Sequence, residues 1–248
     1  MSSQYPLRSM KIHFYPEKPT YPKSLPYDML KPYGYRVGLF GSHNDHWGRM
    51  SNYLASESVD IYSHVGSVKN DKAELGYESI SVTPTVDGNS KVSFGNFMYQ
   101  SAVDNVERLD EETADIALKW MQHSDTQAPF FMYLNLQAGH LPFDALPENY
   151  TRTFLTADNE MAQRMKDGQT IGVPLNYIHS AYFDAMRYVD SNIKRVVNQI
   201  KAEGNHENTI YIISSDTSIR LLGDVIGNGG GLFSEVLRIP MILSLIHI

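Results

Sequence analysis

The residues of this 248-residue chain best suited to chemistry stand where apolar runs stop. Asp216 ends Thr209-Ile210-Tyr211-Ile212-Ile213-Ser214-Ser215, a β-branched and aromatic run of the kind that forms a strand covered on both faces. His140 follows a second such run, residues 130–136, in a Gly139-His140-Leu141-Pro142 turn. His43-Asn44-Asp45-His46-Trp47-Gly48 follows a third, residues 35–40. Two histidines and an aspartate within four residues offer the donors of a metal site, and equally those of a solvated turn. Gly227-Asn228-Gly229-Gly230-Gly231 reads as a flexible loop, because no Gly-x-Gly-x-x-Gly joins a strand to a helix there. In open α/β sheets, ligands sit at the C-terminal ends of the strands. Three strand ends with polar cargo therefore point to one active edge, with Asp216 first among them.

The elements that must position these residues alternate. A helix is expected over 110–123, opened by Asp110-Glu111-Glu112 with Asp110 as its N-cap, with an apolar stripe of Ala114, Ala117, Trp120 and Met121. A short helix is expected around 159–166. A long one precedes the last carboxylate, its stripe Tyr182, Met186, Val189, Ile193, Val196, Val197 and Ile200, closed by Gly204-Asn205. Residues 1–34 are rich in Pro and Tyr and read as extended, with a short helix at 25–31. Residues 55–105 read as loops with one or two edge strands, and a final strand starts near 238–242. Helices alternating with buried strands, without hairpin signals, predict an α/β fold: a three-layer α/β/α sandwich around a largely parallel sheet.

Composition narrows the partners. A net charge of −7 argues against nucleic acid or an anionic membrane surface as the main partner. The absence of cysteine excludes disulfides and thiolate metal sites. No run reaches the ~18 apolar residues of a membrane span. The first residues carry no apolar core of a signal peptide, so the expectation is a cytoplasmic protein or a start that is not the native one.

Five stretches, in order along the chain, carry a resemblance. They are Gly34-Tyr35-Arg36-Val37; Pro129-Phe130-Phe131 through His140-Leu141-Pro142-Phe143; Tyr182 to Asp190; Ile213-Ser214-Ser215-Asp216; and Gly227-Asn228-Gly229 with Leu232-Phe233-Ser234-Glu235-Val236-Leu237-Arg238-Ile239-Pro240. Together they resemble the sulfatase family of the alkaline-phosphatase superfamily. The resemblance implies hydrolysis of sulfate esters, or of phosphate esters in relatives, small-molecule or glycan. It also implies a divalent metal, calcium above others, and a location outside the cytoplasm (periplasmic, secreted or membrane-anchored). Asp216 matches the family's metal-binding aspartate, with Thr217 beside it as an oxygen donor. His140 matches the histidine that contacts the anionic group. His46 resembles the histidine of the Gly-Lys-x-His-x-Gly motif, with Asn44 where the lysine would stand. Asn228 occupies a position that is basic or histidine in the family.

The departures shape the expectation as much. Thr217 and Ser218 replace the usual His or Asn and then Gly. The nucleophile motif Cys/Ser-x-Pro-x-Arg, whose first residue becomes formylglycine, does not occur in the chain, nor do the paired N-terminal aspartates. Met1 to Arg8 resemble the Leu-Thr-Gly-Arg-Tyr-Pro stretch that normally lies just downstream of the nucleophile. The expectation is a partial catalytic domain over 1–242, inactive alone. Leu243-Ser244-Leu245-Ile246-His247-Ile248 resembles the translation of a transposon-end sequencing adapter; its alternative is a genuine strand continuing Pro240-Met241-Ile242. Two further readings stand beside the hydrolase: a non-catalytic relative that binds an anionic ligand, and a phosphoethanolamine- or phosphoglycerol-transferase relative.

Overall fold

The computed structural model describes residues 23–45, 50–65, 108–123, 128–156, 158–167, 172–221, 234 and 238–244. The chain divides into two compact units, Met1–Gln137 and Ala138–Ile248.

In the first unit, β1 (Arg36–Gly41) lies between β2 (Ile61–Ser63) and β3 (Phe130–Asn135), and all three strands run parallel. The register sets Gly38 opposite both Ile61 and Met132, so the C-terminal ends of the strands share one edge. Alternation along β1 sends its side chains to two covered faces. Val37 and Leu39 pack with Leu25, Tyr27, Tyr53, Val59 and Tyr62. Leu25 and Tyr27 belong to the segment around helix α1 (Pro26–Leu30), and Tyr53 to α2 (Met50–Leu54). On the other face, Phe40 meets Trp120 of α3 (Asp110–His123), ring centroids 5.5 Å apart. Gly38 makes that approach possible, since a Cβ there would lie 3.0 Å from the Trp120 ring. Layers on both sides of a parallel sheet are the expected architecture.

Three details differ from the sequence reading. Asp110 is the first residue of α3, and its carboxylate accepts the backbone N–H of Gln137 beyond β3 at 2.8 Å. It thereby ties the helix start to the end of the neighbouring strand. β3 is half-buried along its length, as suits a strand at the rim of the described sheet. Helix α2 arises from sequence too short and polar to carry a period of its own, whereas β2 is one of the edge strands expected within 55–105.

The second unit is built on α5 (Leu175–Ala202), following α4 (Asn159–Lys166). Its buried positions are Ile178, Ala181, Asp184, Ala185, Tyr188, Asn192, Val196 and Ile200. The expected stripe is therefore turned by about one position: Met186 is exposed, and two polar residues lie inside. They are tolerated because both are bonded. Asp184 accepts the N–H groups of Thr153, Phe154 and Leu155, and Asn192 donates to the Tyr188 carbonyl. Phe143, Leu146, Met165 and Val173 complete this core. At the helix end Gly204 takes φ +75°, Asn205 N–H bonds Ile200 C=O, and Gly204 N–H bonds Lys201 C=O. That closure is the Schellman motif expected of Gly-Asn.

β4 (Tyr211–Ser214) departs most from expectation. Among the described residues it pairs antiparallel with β5 (Met241–Ser244) alone, in a two-stranded sheet. Ile210 and Ile212 are 68% and 65% exposed. An apolar run is buried on both faces only when layers cover both, and a two-stranded ribbon supplies no such layers. β5 takes in Leu243 and Ser244, the first two of the six terminal residues set apart above.

Candidate functional site at the strand edge

The edge formed by the ends of β1, β2 and β3 is polar and built. Ser42 follows β1 fully buried, its hydroxyl 2.9 Å from Thr113 on α3. Its backbone N–H reaches Asn135 C=O, and its own C=O accepts Arg108 N–H. The Arg108 guanidinium donates to Ser63, the last residue of β2, at 3.1 Å. Asp45 lies within this ring, 1% exposed. Tyr62 donates its hydroxyl to Asp45 Oδ2 at 2.6 Å. Among the described residues Asp45 Oδ1 has no hydrogen-bond partner, and it faces His43 Nδ1 at 3.7 Å. His64, fully buried, packs its ring tilted at 57° against Tyr62 with centroids 4.9 Å apart, its Nδ1 2.5 Å from Val65 C=O and 3.3 Å from Asp45 N. Burial pushes the Tyr62 phenol well up, and the Asp45 charge adds to it, so Tyr62 stays a donor.

Of the residues singled out in the sequence, Asn44 lies half-buried on this edge, between His43 and Asp45. His46 and Asn228 lie outside the described residues, as does the Gly227–Gly231 loop. His140 belongs to the second unit: it is exposed, with Nδ1 2.6 Å from the next carbonyl, that of Leu141. Asp216 follows β4, exposed, and its Oδ1 accepts the N–H of Thr217 at 2.8 Å. The Thr217 carbonyl in turn accepts the Ser215 hydroxyl. No described contact joins Asp216 to His140. Among the described residues, no three His, Cys, Asp or Glu side chains come together to hold a metal ion.

Sequence reasoning passed over Tyr62, His64 and Arg108. His64 carried the same signal as the others, a polar residue just past a short apolar run, Ile61-Tyr62. A three-residue strand in a stretch rich in Gly, Ser, Asn and Asp hid it. Arg108 has no motif around it and is found only through its bonds.

Comparison with known proteins gives one answer. The model of the family described as Sulfatase matches residues 1–246. The uncharacterized sulfatase YdeN of Escherichia coli (strain K12) is 30% identical over 123 residues, which are 49% of this chain and 19% of that relative. The chain thus matches about a fifth of that relative's length. Among solved structures, BT4656 in complex with its substrate D-glucosamine-2-N,6-O-disulfate aligns with a TM-score of 0.53 at 14% identity, over 98% of this chain and 59% of the other. The phosphonate monoester hydrolase of Agrobacterium radiobacter aligns with a TM-score of 0.50 at 17% identity, over 89% and 52%. At such identities these two likenesses show the fold, and the family model carries the membership. The chain belongs to the sulfatase family.

Proposed function

We propose that this chain is part of a hydrolase of sulfate esters, with phosphate esters as the neighbouring substrate class. The match of the sulfatase family model to residues 1–246 carries the reading. The polar edge at the ends of β1, β2 and β3 supports it, being the place where open α/β sheets bind ligands. BT4656 takes a sulfated glucosamine, and a sulfated sugar is the substrate form we carry over here. Cleaving such an ester requires the oxyanion to be held by cations and hydrogen-bond donors as charge moves to the leaving group. His140, His46, Asn44 and Asn228 are the residues we assign to that contact, and Asp216 with Thr217 to the metal. The family generally uses a divalent ion, which supplies Lewis-acid stabilisation of the anion when bound. The described residues do not make up a site for it, and no step is assigned to calcium in this chain.

The sequence contains no Cys/Ser-x-Pro-x-Arg nucleophile motif, so this chain alone turns over neither aryl sulfate nor aryl phosphate. The test is the complete reading frame. A frame that carries the motif and paired aspartates, and whose product cleaves an aryl sulfate with loss of activity in Asp216→Ala, establishes the hydrolase. A complete product without the motif that still binds sulfate establishes instead the non-catalytic binder. The neutral Thr217, Ser218 and Asn228 favour that second reading.

A further inference from the structure

We propose that Phe154 and Phe183 form an aromatic corner that receives the ring of a sulfated sugar, with Arg187 beside it for an anionic substituent. The inference deepens the reading of a sulfated sugar as substrate and rests on it for the choice of ligand. It starts from two large apolar rings left in water together. Phe154 is 51% exposed and Phe183 53%, and their ring centroids lie 5.8 Å apart at an interplanar angle of 58°. A single exposed phenylalanine needs no explanation, whereas a pair held in one place does.

The pair is held by the residue between helix and loop. Phe183 stands on α5, and the next residue, Asp184, turns inward and accepts the N–H groups of Thr153, Phe154 and Leu155. A buried carboxylate thereby fixes the backbone that presents Phe154 to Phe183. Arg187, one turn further along α5, donates to the Thr153 hydroxyl and ties the same loop to the helix a second time. A loop anchored in this way has little freedom left to lose when a ligand arrives.

The corner continues from the His140 turn. The Phe183 centroid lies 5.9 Å from that of Tyr182, and Tyr182 lies 5.4 Å from the buried ring of Phe143, whose N–H bonds His140 C=O. A row of rings thus runs from that turn to Phe154. Met186, one turn from Phe183, comes so close to Gly139 that a Cβ there would lie 3.2 Å from its sulfur. A saccharide whose sulfate meets His140 therefore extends along this row. Sugars suit such a corner because the C–H hydrogens on one face are partly positive and meet the negative faces of aromatic rings, while the hydroxyls stay in water. The Arg187 guanidinium carries the charge complementary to a further sulfate. A second copy of this chain is a poorer occupant, since each copy brings a net charge of −7.

The test uses the whole chain with its phenylalanine rings labelled in carbon-13. D-Glucosamine-2-N,6-O-disulfate and the unsulfated N-acetyl-D-glucosamine are titrated separately at neutral pH. Phe154→Ala and Phe183→Ala assign the two resonances; both side chains are exposed, so the melting temperature should stay within about 2 °C. The expected result is a saturable shift of both rings with the disulfated sugar. Phe154→Ala should weaken that binding, read from the sugar's own proton signals, by about tenfold. Arg187→Gln should weaken the disulfated sugar by about threefold and leave the unsulfated one as it was. Rings that no sugar moves overturn the proposal, and so does an unchanged affinity in Phe154→Ala. Ring shifts that follow protein concentration without sugar, together with a sedimenting dimer that Phe154→Ala dissolves, overturn it in favour of a contact between copies of this chain. Turnover by the complete protein is a separate readout. Sugar-responsive rings beside a complete protein that cleaves no aryl sulfate keep this inference and end the hydrolase reading, and an active protein whose rings ignore the sugar does the opposite.

Discussion

Two strand ends in this molecule look alike in sequence and differ in structure. β1 and β4 are both apolar runs that stop at serine, followed shortly by aspartate. At the end of β1 the aspartate, Asp45, is sealed under Tyr62 and beside His43 and His64. At the end of β4 Asp216 stands exposed, and its Oδ1 accepts the N–H of its neighbour. The difference comes from the layers. β1 has a strand on each side, α3 on one face and the segment around α1 and α2 on the other. β4 has one described partner strand. A carboxylate becomes a built site when its surroundings remove water from it and replace that water with donors.

The most damaging way to erase this contrast is to strip a layer from β1. Trp120 is 4% exposed, packs on Phe40, and carries the Arg36 guanidinium 5.0 Å above its ring. Trp120→Ala should cost about 4 kcal/mol, within the range for deleting a buried aromatic. Urea unfolding followed by circular dichroism measures it. A loss under about 1 kcal/mol would mean that α3 does not hold the sheet.

Asp184 sharpens the contrast from the second unit, as a buried aspartate with both oxygens used. Oδ1 accepts from Thr153 at 2.7 Å and Oδ2 from Leu155 at 2.9 Å, with Phe154 N–H between them. Asp184→Ala leaves three backbone N–H groups without their acceptor and should cost about 3 kcal/mol. Accelerated amide exchange should be confined to residues 153–155 and the adjoining turn of α5. Unchanged exchange there would show that the loop stands without the carboxylate.

A smaller effect separates the two units by pH. Burial raises the Asp28 carboxyl, but bonds from the Ser56 hydroxyl and the Leu25 N–H, with Lys23 nearby, outweigh it and leave it below the ordinary value. A carboxylate depressed on folding stabilises above its unfolded value of about 3.9, and that contribution disappears as pH falls through the folded value. Wild type should therefore be more stable than Asp28→Asn at neutral pH, and the two should converge as pH falls through the depressed folded value. A gap that persists in acid would assign the effect to packing.

Local chemistry made part of this legible. α3 and α4 begin and end at the expected residues because acidic first turns and the Asp158 cap are written in adjacent positions. β1, β3 and the Gly204 closure were legible for the same reason. The burial of β4 was not, since an apolar run states what a strand would bury and not whether a layer is present. The α5 stripe turned because Asp184 and Asn192 enter the core with partners supplied by the loop at 153–155 and by Tyr188, which no helical period reveals. At the site, Asp45 was visible as a residue type within a cluster. Its sealing by Tyr62 was not, because Tyr62 comes from a strand too short to read.

The smallest expected effect belongs to Asp216, and it tests the comparison at its weaker end. An exposed carboxylate bonded to one adjacent N–H contributes little, so Asp216→Ala should change unfolding free energy by less than about 0.5 kcal/mol. Its metal affinity in this chain should be equally slight. Calcium takes ~6–8 oxygen ligands, several of them carboxylates. Asp216 is the one carboxylate that the family pattern supplies at this strand end, and Thr217 adds oxygens without charge. Among the described residues no third ligand joins them. His140 offers a neutral imidazole, which suits zinc better than calcium. Calorimetric titration of the chain with calcium should therefore show no micromolar site, and Asp216→Asn should leave the trace as it was. A micromolar signal abolished by that substitution would mean that β4 ends in a site as fully built as that of β1, and the contrast between the two ends would fall. If restoring an upstream segment with paired aspartates raises the affinity, the end of β4 is half of a metal site whose other carboxylates come from that segment.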